Sequence, residues 1–84
     1  MTIHGIKCKK CGDIIYSRAN HDFRWCSCHS VAVDGGQNGF GSITGSAKNW
    51  EFIKVEVNTT LKYLYDDWNT GRNKFGLIKV NNIE

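Results

Sequence analysis

The chain has 84 residues, a formal net charge of +3 and four cysteines. That length supports a single domain, near the limit at which a hydrophobic core alone is stable, and no apolar run approaches the roughly 20 residues of a membrane span. The start, MTIHGIKCKK, lacks the apolar stretch of a secretory leader, so a reducing, cytoplasmic compartment is expected.

Residues 5–7 and 13–17 are short and β-compatible, with Ile14, Ile15 and Tyr16 favouring a strand. They predict a hairpin whose turn is the knuckle CKKCG, carrying Cys8 and Cys11. Gly12 stands where such a knuckle needs a positive φ, which turns backbone N–H groups toward the sulfurs. A polar insert at residues 19–22 leads to the second pair, Cys26 and Cys28 in WCSCH, and then to a short strand at 31–33. Asp34-Gly35-Gly36 supplies a turn.

Residues 35–46 hold five glycines and predict a hairpin loop. They are not a phosphate cradle, because no Gly-Lys-Ser/Thr follows and no strand–GxGxxG–helix context surrounds them. Residues 50–57 (WEFIKVEV) predict the best strand, with Ile53, Val55 and Val57 on a core face and Trp50, Phe52, Lys54 and Glu56 on the other. Residues 60–70 predict a helix, because Leu61, Leu64, Tyr65 and Trp68 follow helical spacing. Thr59 or Thr60 can cap its start and Gly71 can end it. Lys62, Asp66 and Asp67 oppose the helix dipole, so the helix is expected to depend on docking its apolar face, with Trp68 buried. A strand at 75–80 closes the sheet. The fold expected is α+β: zinc-ribbon-like hairpins over 1–36, then an antiparallel sheet and one C-terminal helix over 37–84, in one domain.

Two close cysteine pairs separated by a short insert are how a chain brings four thiolates around one metal at about 2.3 Å. The expected ligands are Cys8, Cys11, Cys26 and Cys28, and the expected cofactor is one structural zinc, since four sulfurs leave no open coordination position. Two disulfides, in any of three connectivities, are the alternative, disfavoured by the reducing compartment. His21 or His29 replacing one cysteine is another. Zinc with four thiolates lowers the net charge to about +1. The deaminase signature is absent, and a redox CxxC would not bring a second pair. An Asn20-His21-Asp22 nuclease centre rests on a lone triplet, so the protein is not expected to be an enzyme.

The pattern IKCKKCGDII, WCSC and VAVDGG between Ile6 and Gly36 resembles a family of small, largely uncharacterised phage and bacterial proteins with a zinc-ribbon-like N-terminal half. The resemblance implies a four-cysteine metal site and supplies no catalytic residues. The chain departs from it at His29, where a glycine often follows the last cysteine. Eight Asn, eight Lys, eight Ile and no Pro suit an AT-rich genome, as in many large lytic phages.

The expected function is therefore that of a phage accessory protein that binds nucleic acid. RNA or single strands are favoured over duplex DNA, because no basic recognition helix is visible. The candidate surface combines Lys7, Lys9, Lys10, Arg18, Arg24 and Lys54 with Trp25, Trp50 and Phe52. The alternative is a protein-binding inhibitor or adaptor of a host enzyme or defence system, drawing on the aromatic C-terminal half and a net charge near zero.

Overall fold

A computed structural model describes residues 1–37 and 42–78. In chain order the elements are β1 (Thr2–Cys8), β2 (Ile14–Ile15), β3 (Arg24–Trp25), β4 (Ala32–Val33), β5 (Ile43–Thr44), a 3-10 turn (Ala47–Asn49), β6 (Trp50–Glu56), α1 (Leu61–Asn69) and β7 (Leu77–Ile78). They make two antiparallel sheets, ordered β6-β1-β2-β7 and β3-β4-β5, and one helix. The fold is α+β, as the sequence predicts. The strand expected at 75–80 is observed at Leu77–Ile78, and residues 79–80 lie outside the described residues. Part of the glycine-rich stretch read as a loop is strand β5, which pairs with β4 through Ala32↔Thr44 and Val33↔Ile43.

β1 is the spine of the molecule. All seven of its residues pair with β6, from Thr2↔Glu56 to Cys8↔Trp50, and it also pairs with β2 through Ile6↔Ile15. Its alternating side chains feed two cores. Ile3 goes to one, with Tyr16, Leu64 and the flanking Val55, Val57, Leu61, Phe75 and Ile78. Ile6 and Cys8 go to the other, with Ile15, Cys26, Val31 and Val33. The result is three layers, α1 on one face of the larger sheet and the smaller sheet on the other. Ile53, Val55 and Val57 are half-buried, because β6 ends its sheet and a nine-residue helix covers only part of that face.

Gly5 makes this crossing possible. A Cβ there would lie 2.4 Å from the Ile15 carbonyl oxygen and 3.1 Å from Tyr16 Cβ. Gly5→Ala should therefore force β1 and β2 apart and cost about 1–3 kcal/mol, read as a lowered urea midpoint with an unchanged m-value.

The helix ends form as their sequence signals require. Thr60 Oγ1 accepts the Tyr63 N–H at 3.3 Å. At the other end the Arg72 N–H reaches the Asp67 carbonyl at 2.9 Å and the Gly71 N–H reaches Trp68 at 3.2 Å, with Gly71 at φ +73. This is a Schellman cap. Leu64 is the fully buried helix residue. Trp68, expected in the core, is half-buried. Its ring lies 5.5 Å from the Arg18 guanidinium, which occupies the space beneath this end of the helix.

That guanidinium is the principal correction to the sequence reading. Arg18, expected on a nucleic-acid surface, is 2% exposed and paired with two buried carboxylates. Its Nε donates to Asp22 Oδ2 at 2.7 Å and Nη2 to Asp22 Oδ1 at 3.2 Å. Its Nη1 donates to Asp67 Oδ2 and, at 2.7 Å, to the Arg72 carbonyl. Asp67 also accepts the N–H groups of Lys74 and Phe75, both at 3.1 Å. One side chain thus ties the insert between the cysteine pairs to α1 and to the segment before β7. Asp22, 2% exposed and committed to Arg18, is not a member of an open nuclease centre.

Candidate metal centre

Each cysteine pair sits on a tight backbone knuckle. In the first, the Cys8 N–H donates to Asp13 O and the Gly12 N–H to Cys8 O, both at 2.8 Å. In the second, the Cys26 N–H donates to Val31 O and the His29 N–H to Cys26 O, both at 3.0 Å. The first cysteine of each pair therefore bonds the residue five positions on. The C-x-C pair closes a hairpin as wide as the C-x-x-C pair, so one fewer intervening residue does not change the frame.

Gly12 has φ 80 and His29 has φ 59, the one non-glycine positive φ among the described residues. His29 takes the left-handed conformation at which a glycine is common, and histidine is one of the side chains that tolerates it. It does so at a cost of about 1–3 kcal/mol. The knuckles are fastened together by Asp13, 5% exposed, whose Oδ2 accepts the Ser27 N–H at 3.1 Å. Sequence reasoning missed this role; the acid directly after the first knuckle was its only signal.

The four sulfurs of Cys8, Cys11, Cys26 and Cys28 lie within 4.8 Å of one another. Cys28 Sγ is 3.6 Å from both Cys8 Sγ and Cys26 Sγ. A tetrahedron of sulfurs around a metal at about 2.3 Å has edges of about 3.8 Å, so the cluster matches a four-thiolate metal site. No pair is joined as a disulfide. Backbone N–H groups of Asp13 and Cys28 are directed at the Cys11 sulfur, and that of Ser30 at the Cys28 sulfur. These bonds stabilise thiolates.

The thiols differ before any metal binds. Burial pushes Cys11 up to about 12. The Ser30 hydroxyl, 3.2 Å from Cys28 Sγ, and the Ser30 N–H pull Cys28 down to about 6. A divalent cation held by the four sulfurs would remove this difference by favouring the thiolate at each cysteine. Such a site is coordinatively closed and holds structure rather than substrate. Among the described residues, the cluster that could hold a metal contains the four cysteines and neither His21 nor His29. His21 is exposed, and the exposed His29 ring lies 5.9 Å from the Trp25 ring.

The other candidate site residues divide into two groups. Lys9 and Lys10 are exposed at the tip of the first knuckle. The Lys9 N–H bonds Asn49 O at 2.8 Å, next to Trp50, which packs against the sulfur-bearing core. Trp50 meets Phe52 edge-on at 4.9 Å, and Phe52 and Lys54 are exposed along the same face of β6. Lys7 is half-buried opposite Glu51. Arg24 is half-buried, with Nη2 donating to Asn73 Oδ1 at 3.0 Å.

Trp25 belongs elsewhere, on the outer face of the smaller sheet, 41% exposed. Phe23, 49% exposed, lies 5.6 Å from it, and with His29 the three rings form a continuous array on the second knuckle. Sequence reasoning missed Phe23 and took His29 for a possible ligand. The F-x-W spacing, which puts two rings on one face of a strand, was the available signal.

No curated protein and no solved structure matches the chain. A family model, described as a domain of unknown function, matches residues 2–45. The match spans β1 to β5, including both knuckles and the Phe23–Trp25–His29 array, and ends before β6 and α1. The chain belongs to the DUF7695 family.

Proposed function

We propose that the protein is a non-enzymatic, zinc-stabilised module that binds RNA or single-stranded DNA through the end of the molecule that carries the knuckles. The observation behind this reading is the exposed Phe23–Trp25–His29 array on the second knuckle. The sulfur cluster holds it against the first knuckle, whose Lys9 and Lys10 point into solvent. Lys48, exposed in the turn bonded to Lys9, adds a third cation. Rings stack on unpaired bases whatever their sequence, while lysines contact the phosphates between them. Among the described residues no basic helix is available to enter a duplex groove; α1 carries Lys62 against Asp66 and Asp67. Zinc is the metal an all-thiolate tetrahedron suits, and its role is to hold both halves of the surface in place.

Fluorescence anisotropy with mixed-sequence RNA and DNA oligonucleotides tests the reading. Charge reversal at Lys9 and Lys10 should weaken binding and flatten the log–log salt slope by roughly 0.7 for each lost phosphate contact. Trp25→Ala should cost about 1–3 kcal/mol of binding with the slope nearly unchanged. Absence of binding to either polymer at low salt would overturn the reading. The same aromatic face would then be assigned to a protein partner, an adaptor or inhibitor contact with little salt dependence.

A further inference from the structure

We infer that Cys28 is a site of oxidation by hydroperoxides, the ligand through which the metal centre is opened. The four cysteines are unequally shielded. Cys8 and Cys26 are 0% and 2% exposed, Cys11 is half-buried, and Cys28 alone of the four is exposed. Cys28 Sγ also has two neighbouring sulfurs at 3.6 Å, so an oxidised Cys28 has resolving thiolates already beside it. Accessible thiolates with an adjacent resolving cysteine are the ones that oxidants select.

The step balances with a hydroperoxide as the oxidant. The Cys28 thiolate attacks one peroxide oxygen; an S–O bond forms, the O–O bond breaks, and the departing oxyanion takes a proton from water. The product is a sulfenic acid at Cys28. The Cys8 thiolate then attacks the Cys28 sulfur; an S–S bond forms, the S–O bond breaks, and hydroxide leaves. Two thiolates have lost two electrons, and the hydroperoxide and one water have become an alcohol (or water) and two hydroxides. Cys26 is as close, but a single residue separates it from Cys28, and a bridge there would require the knuckle's turn to be rebuilt. Cys8 lies on the other hairpin. The ligand set falls from four thiolates to two, too few to retain a structural metal. This chemistry is independent of what the aromatic face binds.

The test treats zinc-loaded protein with hydrogen peroxide, traps sulfenic acid with dimedone, maps the cysteines by peptide mass spectrometry and follows zinc with a chromogenic chelator. The expected result is a first adduct at Cys28, then a Cys8–Cys28 disulfide, with one zinc released per disulfide. Cys28→His, which keeps a fourth ligand without a sulfur, should lose peroxide-driven release. A first adduct on Cys8, Cys11 or Cys26, retention of zinc and four reduced cysteines in the wild type, or Cys28→His releasing zinc as fast as wild type would overturn the inference. If Cys28→His fails to load, the wild-type map still decides.

Discussion

Removing the metal from the cysteine cluster should unfold the entire chain in one transition, rather than only its N-terminal half. Structural zinc contributes an apparent ~10–16 kcal/mol to small domains, which matches or exceeds the ~5–15 kcal/mol that holds a typical domain folded. Two of the four clustered cysteines, Cys8 and Cys26, are themselves core residues. The loss spreads because β1 serves both cores: Ile3 packs toward α1, while Ile6 and Cys8 pack toward the cysteines. Once Cys8 is released, the strand that anchors β6 and the helix is no longer fixed. A high-affinity chelator should abolish the far-ultraviolet helix signal and the tryptophan fluorescence shift together. Retention of α1 after the metal has gone would show that the two cores are independent.

The second large effect is expected at Asp67. Asp67→Ala should cost about 3–5 kcal/mol, because it removes the acceptor of a charged hydrogen bond from Arg18 and of two backbone N–H groups, and a buried donor left unsatisfied costs about 1–3 kcal/mol. Arg18 would retain Asp22 and the Arg72 carbonyl, and the Lys74 and Phe75 N–H groups would lose their acceptor. A double-mutant cycle with Arg18→Met should show coupling, since both residues belong to one network. The pH dependence has a definite sign. Burial alone would raise the Asp67 carboxyl, but the Arg18 guanidinium and the Phe75 and Lys74 N–H groups outweigh it and hold the carboxyl below its ordinary value. A carboxyl depressed on folding contributes stability that is fully present above its unfolded value, about 3.9, and lost as the pH falls toward the lower folded value. Urea midpoints measured from neutral pH down to that range should therefore converge for wild type and Asp67→Ala. A gap that stayed constant would contradict the ion pair as its source.

The features read correctly from sequence are those whose cause is local. The cysteine spacings, the glycine of the first knuckle, the Thr60 cap, the Gly71 stop and the alternation of residues 50–57 each act within a few residues. What was misread depends on distant partners. Arg18 looked like one more basic residue near the cysteines, and Asp67 like an acid at the wrong end of a helix. Forty-nine positions separate them in sequence, and nothing in either neighbourhood announces the pairing. A carboxylate opposing the helix dipole costs about 0.3–1 kcal/mol, less than the buried network that fixes Asp67. Trp68 has the right helical phase for the core, yet phase gives direction and not the neighbour met; the space below it belongs to Arg18. In the site, the cysteine spacing points to the sulfur cluster and the F-x-W spacing to the ring array within the second hairpin, but the Asp13 fastening exists only once the two hairpins are brought together.

The proposed metal centre has four cysteine sulfurs, and no histidine, around one structural metal. X-ray absorption at the zinc edge, on protein purified without chelator, measures this directly. One zinc per chain is expected, surrounded by four sulfurs at about 2.3 Å. A nitrogen among those ligands, or protein that folds without stoichiometric metal, would contradict it.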